Sequence, residues 1–448
     1  MLARHSSPPP SEPPPPRSPP PPRPPAKGAA PAEPGAPRGL SDLEKAVGAA
    51  RTPGEKSRAL VALARAHLDE GKGTPAEALL WEAVGEGSSE AGELLSTELA
   101  RSPSRAGDLT RVRRALVDMF PGHLGRLESL RAAAAAHRDF TYARAVEHVA
   151  RSFDPGAGPL PPPSLAGQTE RPGTRGLLMR PSSDAAGDAL ALVWEGAGSV
   201  FARSPSAYAI TGAERVMPSA TSPLARVYEI AIHLLGVPRV PLFHRRTQGA
   251  LASTCALLTP ASALVTGDVS HDSMELRYVV GVAIASSVPQ TALLFGQTEE
   301  EASLTWRAIL GAFGPTELGR GLDGASGKLA ESFWQVIPPR TQRRLQELLA
   351  TPLDFELVIA AARQSARRVG LFVTGDFGHA TRVLLRERGI DSRAAEGEGL
   401  QALCAEHASL ADLLRLAVSP EYAIARWHTV PPASQRGTFS SGRVGAVR

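Results

Sequence analysis

Met274-Glu-Leu-Arg-Tyr-Val-Val-Gly-Val-Ala-Ile-Ala-Ser-Ser287 has almost no polar side. Leu276, Val279, Val280, Val282 and Ile284, with Val288 just beyond, cover nearly the whole circumference of a helix. A helix apolar all round is a buried one. Residues 274–288 are therefore expected to be a fully buried helix. Just upstream, residues 263–266 read as a short strand, and residues 240–244 and 254–258 as two more. A helix over residues 224–235, ended by Gly236-Val-Pro238, precedes them. Two further strands are expected at residues 189–194 and 199–203, joined by a turn at Glu195-Gly-Ala-Gly198. After Ser270 the pattern is helical almost without break to about residue 418. The fold class predicted is α+β and mostly helical, with a small sheet.

Toward the N-terminus the pattern is helical alone. Ser41 and Glu44 form the S-x-x-E spacing of a capping box. Leu60, Leu63, Ala64 and Leu68 share a helical face, and Pro75 sits in the first turn of the next helix. Residues 127–136 and 142–153 make an antiparallel pair, and Asp154-Pro155-Gly156 stops it. Paired helices joined by tight turns resemble degenerate tetratricopeptide repeats, although the signature Trp, Leu, Gly and Tyr positions are mostly missing. A plain helical bundle accounts for the same pattern. The organisation expected is a proline-rich arm (1–38), a helical repeat domain (39–154), a Pro/Gly-rich linker (155–184), a second domain (185–430) and a tail (431–448). The arm holds 16 of the 41 prolines. It has too little apolar surface to offset chain entropy and reads as an extended spacer, or as a ligand for an aromatic groove.

The second domain resembles the gluzincin metallopeptidases of the HtpX and CAAX prenyl protease type. His233-Leu-Leu-Gly-Val-Pro238 is similar to that family's lead-in, and Ser262-Ala-Leu-Val-Thr-Gly267 to its substrate-binding strand. Met274-Glu-Leu-Arg-Tyr-Val-Val-Gly281 is similar to the opening of its active-site helix, which in the family continues as H-E-x-x-H. Two histidines at i and i+4 there bind Zn²⁺, and the glutamate is general base for the bound water. The resemblance puts Val282 and Ser286 at the histidine positions and Ala283 at the glutamate position. None of them offers a metal ligand of useful strength. In the later E-x-x-x-D pattern Arg368 and Gly370 fit, but Arg363 replaces the glutamate and Arg367 the aspartate. The resemblance thus implies a zincin-like domain with vestigial positions Val282, Ala283, Ser286, Arg363 and Arg367, and two cations opposing a metal. It also implies that Ala263, Leu264, Val265 and Thr266 form a peptide-binding edge strand. A buried helix with no such ancestry is the alternative reading of residues 274–288.

Nothing else supplies chemistry. The eleven histidines are scattered without metal-ligand spacing. Gly319-Arg-Gly-Leu-Asp-Gly324 lacks the Lys-Ser/Thr of a phosphate loop, and no G-x-S-x-G elbow occurs. The formal charge is only +4 and aromatics are 5%, so a nucleic-acid partner is not expected. Two cysteines, Cys255 and Cys404, exclude a disulfide framework. No secretory signal and no membrane span are expected, and the expected address is the cytoplasm. The sequence is thus expected to encode a non-catalytic protein–protein interaction or scaffold protein with a pseudo-metallopeptidase domain. It would need no cofactor and would bind protein partners through the helical repeats. The alternative is an active metal-dependent peptidase using other ligands.

Overall fold

The computed structural model describes residues 39–428 apart from 155, 159, 166–169, 180–183, 323, 352 and 392–395. The proline-rich arm and the tail lie outside the described residues. The described residues are mostly helical, with one three-stranded sheet. Among the described residues no helix is long and apolar enough to cross a membrane.

Seven helices come first: α1 (Leu40–Ala49), α2 (Pro53–Asp69), α3 (Gly73–Gly85), α4 (Ser89–Ala100), α5 (Ala106–Met119), α6 (Leu124–Ala136) and α7 (Phe140–Arg151). Each packs on its neighbours in sequence. Leu60, Val61 and Ala64 of α2 meet Leu80 and Ala83 of α3 and Leu95 of α4 in one core. The capping box lies elsewhere than expected. Ser41 is inside α1, which starts one residue earlier after Gly39 with no side-chain cap. The box belongs to α2, where Thr52 Oγ1 accepts from Glu55 N at 3.2 Å and Glu55 Oε2 accepts from Thr52 N at 3.3 Å. Asp139 caps α7 by accepting from Tyr142 N at 2.9 Å.

The second half opens with α8 (Thr174–Leu178), α9 (Asp184–Phe201) and α10 (Pro223–Leu235). Residues 189–201 are thus helical, with a kink at Ala197 inside the expected turn, and the two strands expected there are absent. The apolar run Ala189-Leu-Ala-Leu-Val-Trp194 fits either period. What selects the helix is the i, i+3, i+4 spacing of Leu190, Val193, Trp194, Ala197 and Phe201, all buried. Gly196 is not a turn residue but a close-approach residue, since a Cβ there would lie 3.2 Å from Ile337 Cγ1.

Three strands follow, β1 (Leu242–Arg245), β2 (Ala252–Ala256) and β3 (Ser262–Thr266), in the order β1-β3-β2. β3 pairs parallel with β1 and antiparallel with β2. Ala263, Leu264, Val265 and Thr266 are therefore in the central strand, and the expectation of an edge strand there is corrected. Both ladders of β3 are occupied, so no peptide can add to it. Strand order depends on long-range pairing that a local pattern does not carry.

Helices make up the rest of the described residues: α11 (Met274–Ser287), α12 (Ala292–Phe295), α13 (Glu299–Phe313), α14 (Thr316–Gly319), α15 (Gly324–Val336), α16 (Pro339–Leu348), α17 (Phe355–Thr374), α18 (Phe377–Glu387), α19 (Gly397–Glu406), α20 (Ala408–Ala417) and α21 (Pro420–Tyr422), which runs into a wide turn over Ala423–Trp427. α11 is sandwiched between α10, β2 and β3 on one side and α17 and α18 on the other. The core under α7, including Tyr142, Val146 and Val149, runs without a break into that of α10, α11 and α17. Tyr142 Oη donates to Val418 O at 2.9 Å, and Arg114 donates to the same carbonyl and to Arg415 O. α5 and α7 therefore cap the end of α20, tying the hairpins to the second half.

Candidate functional site

Three of the positions singled out by the sequence, Val282, Ala283 and Ser286, lie on α11, which crosses α17. Thr374 Oγ1 donates to Met274 O at 3.0 Å, and Gly281 faces Gly370, so the two helices run antiparallel. The approach is backbone to backbone. A Cβ on Gly281 would lie 2.9 Å from Gly370 Cα and 2.9 Å from Val369 O. One on Gly370 would lie 2.8 Å from the Tyr278 ring and 2.9 Å from Val282 Cγ2. Val282 thus packs into the notch that Gly370 leaves. Ala283 and Ser286 are buried, at 1% and 6% exposure.

The crossing carries a direct test. Gly281→Ala adds one methyl against main-chain atoms that cannot rotate away. Overpacking of that kind costs about 1–3 kcal/mol, against the gain of roughly 1 kcal/mol that alanine brings inside a helix. A net loss of stability, read by chemical denaturation, is expected; a stabilised variant would mean the helices are further apart.

Of the two arginines only Arg367 lies near α11, beside Tyr278. Arg363 is 44% exposed and its Nη2 lies 2.5 Å from Glu299 Oε2, at the start of α13. Arg367 is partly buried near Tyr278 and Glu387. Burial pushes the Arg367 guanidinium below the usual arginine value, with Tyr278 and Glu387 acting against it, and pushes the Glu387 carboxyl up. Among the described residues no three His, Cys, Asp or Glu side chains are grouped to hold a metal.

A cavity of about 450 Å³ opens beside the crossing. α11 contributes Ile284, Ala285 and Ser287, with Val288 just beyond it, and α17 contributes Ala362, Ser365 and Val369, so neighbouring helix faces line it rather than the five vestigial positions. Leu178, Trp194 and the segment from Leu235 to Pro241 close the other sides. Its charged members, Glu170, Arg175, Glu195 and Arg239, are all exposed. The interior is apolar apart from a few hydroxyls, and among the described residues no His, Cys or Asp lines it. Such a lining suits an uncharged apolar group. The sequence pattern did not reveal this cavity; its only trace is the small-residue spacing of Ala362, Ser365 and Val369.

The other reactive side chains are not poised for chemistry. Burial pushes Cys255 and Cys404 up to about 12, so both are thiols at neutral pH. Asp376 Oδ2 lies 3.0 Å from His379 Nδ1 and 3.9 Å from His148 Nε2. The same carboxylate caps α18 through His379 N, which is a structural use. Comparison with family models, curated protein sequences and solved structures finds no match.

Proposed function

We propose that this protein is a non-catalytic interaction protein, in which the N-terminal hairpins bind a protein partner and the second half is a pseudo-metallopeptidase domain that supports them. The observation that carries the proposal is the α11–α17 crossing. Where the peptidase-like pattern calls for imidazoles and a carboxylate, Val282 packs against Gly370 and Arg363 is engaged by Glu299. The helix pair is filled by its own atoms.

The hairpins support a binding role. Their first helices start at Pro53, Ser89 and Leu124, a recurrence of about 35 residues, close to the 34 of tetratricopeptide arrays. Stacked hairpins bury one helix face against the next and leave grooves for a partner. Photo-cross-linking of the intact protein in native extract tests this. Partner cross-links are expected on residues 39–154. Cross-links confined to residues 185–428, or chelator-sensitive peptide cleavage by the purified protein, would overturn the proposal.

A further inference from the structure

The hairpins hold a second cavity, of about 560 Å³, between α4, α5 and α6. Its chemistry is the opposite of the first. Arg113, Arg126 and His123 line it with Ser96 and Thr97, and Glu93 is its one acidic member among the described residues.

Arg113 is held in the wall by a single hydrogen bond, Nη1 to Ser129 O at 2.7 Å. No carboxylate lies within ion-pair reach of it among the described residues. Burial pushes its guanidinium below the usual value, and the charge of Glu93 only partly opposes this. Arg126 is fixed from three sides. Its Cζ sits 3.9 Å over the Phe120 ring, Nη1 donates to Leu116 O at 3.3 Å, and Nη2 lies 3.3 Å from Glu93 Oε1. That glutamate is 59% exposed, so water screens much of its charge. Two guanidinium groups and an imidazole thus share one screened carboxylate.

Ser96 adds an independent sign. It is 7% exposed, and its Oγ has no hydrogen-bond partner among the described residues. A serine within a helix ordinarily donates to the carbonyl four residues back, as Thr97 does to Glu93 O at 2.9 Å. A buried hydroxyl without a partner is destabilising, and Ser96 lies in the wall of the cationic cavity.

We infer that this cavity binds a phosphate monoester carried on a side chain of the protein partner, with Arg113 and Arg126 as its cationic clamp and Ser96 as a hydroxyl donor. A tetrahedral dianion presents three acceptor oxygens to two guanidinium forks, a hydroxyl and an imidazole. A carboxylate has one charge and two oxygens, too few for that donor set. The inference rests on the reading of the hairpins as a partner-binding array.

The test uses the full-length protein and N-acetyl-O-phosphoserine amide, titrated by calorimetry. Inorganic phosphate and N-acetylglutamate amide are run in parallel. Saturable binding of the phosphoserine probe is expected, tighter than either control and weakened by added salt. Arg113→Gln and Arg126→Gln should each weaken it by about tenfold or more, with helical circular dichroism retained. Arg113→Lys, which keeps the charge but loses the fork, should weaken it less than Arg113→Gln does. Arg344→Gln on exposed α16 should leave it unchanged. Lack of saturable binding by the parent overturns the inference, as does binding that survives both glutamine variants. Equal binding of N-acetylglutamate amide makes the site a carboxylate site, and equal binding of inorganic phosphate makes it a free-anion site; either also overturns the inference. These probes need no partner, so their outcome is separate from that of the cross-linking experiment.

Discussion

Arg426→Met is expected to destabilise the protein by about 3 kcal/mol or more, because it leaves several buried carbonyls unpaired. Arg426 is fully buried, in a wide helical turn after α20. Its guanidinium donates to Phe372 O at 2.6 Å, Val373 O at 3.3 Å, Ser164 O at 3.0 Å and Pro163 O at 3.1 Å. Two of these are carbonyls in the last turn of α17, which lack helical partners of their own. The other two belong to the segment that leads toward α8. Desolvation pushes the arginine down to about 10, so it remains protonated at neutral pH. Methionine fills the space but leaves buried acceptors unpaired, at about 1–3 kcal/mol each before relaxation. Arg426→Lys should recover little, because one ammonium cannot span carbonyls that a planar fork reaches. Denaturant melts give the loss, and amide exchange should rise first at the α17 end and around residue 164. A methionine variant as stable as the parent would contradict the account.

A loss of similar size, about 3–5 kcal/mol, is expected for Asp412→Ala. Arg368 on α17 and Asp412 on α20 form a two-pronged pair, Nε to Oδ2 at 2.7 Å and Nη2 to Oδ1 at 2.6 Å. Their side chains are 15% and 13% exposed, and Gln364 Nε2 donates to the same carboxylate at 2.5 Å. Removing the aspartate strands a guanidinium and an amide in a poorly hydrated seam. Replacing both partners by leucine should destabilise less than Asp412→Ala does, because no charge is left unpaired. If the double variant is the worse of the two, the pair contributes more than it costs to desolvate.

Much of the fold is visible in local pattern. α11 reads as buried because almost every side of it is apolar, and α10 because its start and stop residues bracket a clean period. Three of the five expected strands shift by a residue or two only, and the other two are absent. What local pattern does not carry is partnership. The run over residues 189–194 fits a strand as well as a helix, and only the buried face it shares with Ala197 and Phe201 separates the two. β3 is central because strands before it in sequence pair on both its sides. Arg426 reads as one arginine among many, since its carbonyl partners lie at residues 163, 164, 372 and 373. Arg368 stood out only as part of a family pattern, and its use here is an ion pair to Asp412. Ser96 and Arg113 carried no signal, because a cavity between three helices has no sequence spacing of its own.

The proposal of a non-catalytic domain turns on whether the α11–α17 crossing holds a metal. The decisive measurement is the zinc content of the purified full-length protein by elemental analysis, before and after dialysis against a chelator. With Val282, Ala283 and Ser286 on α11 and Arg363 turned to Glu299, no stoichiometric zinc is predicted at any stage. Close to one zinc per chain that resists dialysis would contradict it.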